Sequence, residues 1–118
     1  MTIYALSSGP GLSGVAIVRI SGSQTSKVIQ SLTGKEVPKA RMATLRKINN
    51  INTFELIDEG IIIWFPGPQS YTGEDMAEIH VHGGKAVILA VQEEISKIKN
   101  CRLAEPGEFT KLAFQNGK

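Results

Sequence analysis

From Met76 to His82 apolar and polar residues alternate, with Ala77, Ile79 and Val81 on one face and Met76, Glu78, His80 and His82 on the other. A period of two predicts a strand with one face in the core and the other carrying chemistry. Val15 to Ile20 is almost continuously apolar and β-branched, the pattern of a strand covered on both faces, and Arg19 interrupts it. Ile3 to Leu6 predicts a short first strand. Thr44 to Ile48 has weak strand character, and Leu56-Ile57 followed by Gly60 to Phe65 is stronger. The turn-like Asn49-Asn50-Ile51-Asn52 between them would make a hairpin. Ile61 to Phe65 is apolar on both faces, which places it mid-sheet or beneath a partner subunit, and Cys101 to Ala104 permits a last short strand.

Helical spacing replaces alternation in three places. Val28, Ile29 and Leu32 predict a helix over Gln24 to Thr33, with N-cap candidates in Ser21-Gly22-Ser23 and Gly34 as its C-terminal stop. Val87, Ile88, Val91, Ile95 and Ile98 form one stripe, with Glu93 and Lys97 placed as an i, i+4 pair outside it and Asn100 as a terminator. Glu105-Pro106-Gly107-Glu108 opens a third helix, on which Phe109, Leu112 and Ala113 share a face before Asn116-Gly117. These elements together predict an α+β fold, a mixed β-sheet with about three helices.

Connections fall at Ser7 to Gly14, at the basic Lys35 to Arg41, at Pro66-Gly67-Pro68 and at the polar Gln69 to Asp75. With 118 residues and 42% hydrophobic content, residues 1–118 are expected to form a single domain around one core. Thirteen Lys and Arg against 11 Asp and Glu leave a formal charge of +2, too little for strong sequence-independent nucleic-acid binding. Cys101 is the only cysteine, which excludes an internal disulfide and a thiolate-rich metal site and points to a reducing, cytoplasmic setting. No apolar run approaches the roughly 20 residues needed to span a bilayer, and the N-terminus lacks a signal-peptide pattern. Lys118 directly follows Asn116-Gly117, which suggests a piece of a longer protein.

Arg19 carries a permanent charge inside an apolar run, so it needs a carboxylate or a ligand acceptor, either as a structural ion pair or as a site residue facing the Glu78 row. The row of Glu78, His80 and His82 admits three readings: a hydrogen-bonded wall, a subunit contact, or the ligands of a metal-assisted hydrolase. Tyr71 either packs on the sheet edge or covers a flat heterocycle. The glycines of the first loop match neither phosphate-binding fingerprint, which leaves that loop as a connection or a ligand cover. Gly83-Gly84 exposes N–H groups at a helix start, and Lys118 taken alone reads as a surface cation.

Three segments, GVAIVRISG, WFPGPQSYTGEDMAEIHVHGG and RLAEPGEFTKLAFQNGK, together resemble the N-terminal domain of the MnmE (TrmE) tRNA-modification GTPases, over Ile3 to Lys118. The resemblance implies a fold related to the tetrahydrofolate-binding part of aminomethyltransferase-like proteins. It also implies binding of 5-formyl-tetrahydrofolate or a related reduced folate, with contacts at Arg19, Glu78 and Lys118. Further implied are a homodimer with a second copy, the flavoprotein MnmG as partner, and tRNA, modified at carbon 5 of the wobble uridine, as the substrate of the assembled complex. No GxxxxGK[ST] occurs, so GTP, magnesium and potassium would belong to GTPase and helical domains outside this chain, and no catalytic residue is assigned. Leu12-Ser13 stands where related sequences commonly carry a basic residue and a glycine. From the residues alone, a ligand-free structural dimerisation module stays open beside the folate reading.

Overall fold

The computed structural model describes residues 1–7 and 14–118. Within them the chain runs β1 (Thr2–Leu6), β2 (Val15–Ser21), α1 (Thr25–Thr33), β3 (Thr44–Asn49), β4 (Leu56–Phe65), β5 (Met76–His82), α2 (Lys85–Ser96), β6 (Cys101–Leu103) and α3 (Glu108–Gln115). Leu12 and Ser13, with most of the first loop, lie outside the described residues. The strands form a single sheet in the order β3-β4-β5-β2-β1-β6, antiparallel throughout except for the parallel β1–β6 pair. The protein is therefore α+β, with a mixed sheet and three helices among the described residues.

Alternation decides which face is buried. Ala16, Val18 and Ile20 of β2, Ile62 of β4 and Ala77, Ile79 and Val81 of β5 form one core with Val28, Ile29 and Leu32 of α1, Val91 and Ile95 of α2, and Ile98 just past the end of α2. The expectation that β2 is covered on both faces does not hold. Its even-numbered residues are buried, but Ile17 and Arg19 on the other face are only partly so. Backbones of β4 and β5 approach so closely that a Cβ on Gly60 would lie 2.1 Å from the His80 carbonyl oxygen, which leaves no room for a side chain there.

Two local expectations give way to tertiary partners and a third to a local turn. Ser21-Gly22-Ser23 does not cap α1: Ser21 ends β2, and the Gln24 N–H donates to the Thr2 hydroxyl of β1 at 2.8 Å. Gly34 does stop that helix, at φ 70°. Lys97 pairs with Glu94 at 2.7 Å rather than with Glu93. Glu94 is turned inward at 4% exposure and also accepts the Ile51 N–H from the β3–β4 turn at 2.8 Å. Burial raises the Glu94 pKa, but the Lys97 and Ile51 hydrogen bonds outweigh it and hold the group below its ordinary value. The third helix begins at Glu108 rather than at Pro106, because Gly107 is left-handed at φ 76°, and the turn ahead of it is closed by the Glu108 N–H donating to the Glu105 carbonyl at 3.0 Å and by the Glu108 carboxylate accepting the Glu105 N–H at 2.9 Å.

Candidate functional site

The face of the sheet opposite α1 and α2 carries the charged row. Register alone brings two of its members together, since Arg19 of β2 lies directly across from Glu78 of β5. Arg19 Nη2 stands 3.6 Å from Glu78 Oε2, an ion pair longer than a hydrogen bond, with the two side chains 33% and 22% exposed. His80, two residues along the same face, donates from Nε2 to Glu78 Oε1 at 2.9 Å. A carboxylate offers about four acceptor positions, so these neighbours do not saturate it. The guanidinium lies 5.8 Å from the centre of the Tyr71 ring, within cation–π range. Arg19, Phe65, Tyr71, Met76 and Glu78 enclose a cavity of about 200 Å3 with an aromatic wall, a cation and an anion. Arg19 also borders a larger hollow of about 540 Å3 whose far side is Phe109 and Thr110 of α3.

Lys118 does not line the small cavity. Its backbone N–H donates to the Ala113 carbonyl at 2.8 Å, and its Nζ donates at 2.6 Å to the carbonyl of Pro68, in the same β4–β5 connection that bears Tyr71. Arg19 and Glu78 are thus joined directly, with Lys118 one loop away.

The histidine row does not converge as metal ligands. Neighbouring same-face residues on a strand are about 7 Å apart, and each imidazole here has its own carboxylate. His82, 75% exposed, holds Asp58 with Nδ1 at 2.9 Å and with its backbone N–H at 2.8 Å, whereas His80 holds Glu78. Burial raises the Asp58 pKa, but these hydrogen bonds dominate and lower it overall. Among the described residues no three His, Cys, Asp or Glu groups gather as a metal site, so Glu78, His80 and His82 do not form one ligand set within this chain. Cys101 packs partly buried against the core, and burial pushes its thiol pKa up, as for a small apolar residue rather than a nucleophile.

A family model described as GTP-binding protein TrmE N-terminus matches residues 2–118. The chain belongs to the TrmE N-terminal family. It is 75% identical over 118 residues, its whole length, to the tRNA modification GTPase MnmE of Pelagibacter ubique, of which it covers 27%. It is 53% identical to the mitochondrial tRNA modification GTPase gtpbp3 of Dictyostelium discoideum, with 99% of this chain and 24% of that protein covered. It is 47% identical to the mitochondrial 5-taurinomethyluridine-[tRNA] synthase subunit GTPB3 of Homo sapiens, again over 99% of the chain and 24% of the relative. The chain therefore spans about a quarter of the length of these relatives.

In this TrmE N-terminal chain no helix among the described residues is long and apolar enough to cross a membrane. Two wall residues, Phe65 and Met76, carry no sequence signal of their own beyond apolarity. They face each other across β4 and β5, a placement that only the register reveals. Tyr71 had a readable signal, being the one aromatic in a polar loop, and its half-exposed ring stands beside the Arg19 guanidinium, a placement compatible with both of its readings.

Proposed function

We propose that the chain binds a reduced folate, 5-formyl-tetrahydrofolate or a related one-carbon form, on the open face of its sheet. The observation that carries this reading is the registered Arg19–Glu78 pair in the wall of an aromatic-lined cavity. A pterin edge presents adjacent N–H donors that a carboxylate accepts in bidentate fashion, so Glu78 anchors the ring. Arg19 neutralises Glu78 and meets an acceptor oxygen of the ligand. Lys118 exchanges the Pro68 carbonyl for a ligand carbonyl or tail carboxylate, as a flexible ammonium on a long stem can. A cavity of about 200 Å3 suits the ring system and leaves the tail outside, since sites enclosing whole drug-sized ligands run to about 300–1,000 Å3.

In the full-length setting we infer a single folate-binding and dimerisation domain, cytoplasmic, within a tRNA-modification GTPase that acts with MnmG on carbon 5 of the wobble uridine. GTP, magnesium and potassium would act in its other domains. The names of the relatives support this wider reading. The second copy would cover the apolar part of the open face, where Leu45 is 58% exposed and borders a hollow with Ile61 and His80. Titration calorimetry tests the binding: wild type takes up 5-formyl-tetrahydrofolate, and Glu78→Ala weakens it by about 1–3 kcal/mol, the loss of a charge-assisted contact. Equal affinity in the variant removes Glu78 from the site. Sedimentation tests the second copy, and a monomer at every concentration, with and without folate, contradicts it.

A further inference from the structure

Tyr71 is the one wall of the small cavity that no strand supplies. It stands on the loop between β4 and β5, half exposed, where an unsupported aromatic side chain would sample several rotamers and lose that freedom on binding a ligand. Among the bonds that hold the loop, two sets flank Tyr71. On the sheet side, Ser21 Oγ lies 2.7 Å from the buried Thr72 hydroxyl and donates to Glu74 Oε1 at 3.0 Å. On the other side α3 reaches across. The Tyr71 hydroxyl pairs with Thr110 Oγ1 at 3.2 Å, and Asn116 Nδ2 donates to the Thr72 carbonyl at 2.7 Å. Gly73 adopts φ +85°, and a Cβ there would stand 3.2 Å from the Asn116 Cβ and 3.3 Å from Lys118 Cε. Loop and helix end are therefore packed against each other, with the glycine making the approach possible.

We propose that Thr110 and Asn116 are positioning residues for the ring-binding cavity, which act through Tyr71 and hold its ring preset over Arg19 as the stacking wall for a flat heterocycle. The inference rests on the folate reading above. Preset geometry lowers the entropy lost on binding, so releasing the ring weakens the ligand without removing any atom that touches it.

Double-mutant cycles on 5-formyl-tetrahydrofolate affinity, with thermal midpoints recorded alongside, test it. Tyr71→Ala weakens binding about tenfold, and Asn116→Ala about three- to tenfold. The two together are no weaker than Tyr71→Ala alone, because Asn116 has nothing left to position. Thr110→Val and Tyr71→Phe each cost about two- to threefold and likewise do not add. This second pair keeps the test decisive if Asn116→Ala does not fold. Additive losses, or wild-type affinity in Asn116→Ala and Thr110→Val, overturn the positioning role and leave the folate reading standing. A wild-type chain that takes up no folate overturns that reading, and this one with it.

Discussion

The two faces of the sheet are built from the same strands and do opposite work. Ile79 and Glu78 are consecutive in β5, yet Ile79 is fully buried under the helices while Glu78 keeps 22% exposure on the open side. Val18 and Arg19 repeat the contrast on β2. The covered face gains stability from close packing, and the open face holds a part-exposed ion pair whose 3.6 Å separation makes it worth little to folding. Placed where solvent or a ligand reaches it, that pair can serve binding instead.

Substitutions on either face sharpen the contrast. Ile79→Ala should cost about 2–5 kcal/mol of stability in denaturant unfolding, as for any large side chain removed from a packed core. Glu94→Ala comes next, at about 1–3 kcal/mol, since it leaves the Ile51 N–H and Lys97 without their buried acceptor. Glu78→Ala should shift stability by less than about 1 kcal/mol while it weakens folate, the reverse of Ile79→Ala. A large stability loss at Glu78 would mean that the open face is structural too.

The smallest effect is one of pH. Arg102, bonded to both carboxylate oxygens of Glu108, holds that group at about 2. Because the folded value lies below the unfolded one, the contribution is fully present above about pH 4.3 and is lost as pH falls towards 2. Glu108→Gln should flatten this part of an acid-unfolding curve, and an unchanged curve would show the pair to be inert.

Periodicity made the strands and helices legible, because β5 alternates from Ala77 to His82 and α2 keeps its stripe as far as Ile95. The need of Arg19 for a carboxylate was legible as well, since a guanidinium cannot shed its charge. What the chain did not disclose came from contacts distant in sequence. Glu94 displaced Glu93 as the partner of Lys97 because the β3–β4 turn delivers an amide to one side of α2. Thr2 displaced a local cap because β1 lies beside the start of α1. Lys118 bonds the Tyr71 loop and does not line the cavity because α3 ends against that loop, a placement no local pattern encodes.

The most direct test is a crystal structure of the chain with 5-formyl-tetrahydrofolate bound. The pterin should lie on the open face with its N–H edge about 2.7–3.2 Å from the Glu78 carboxylate and Tyr71 against the ring. A ring seated in the larger hollow beside α3, or anywhere out of reach of Glu78, would contradict the proposed grip.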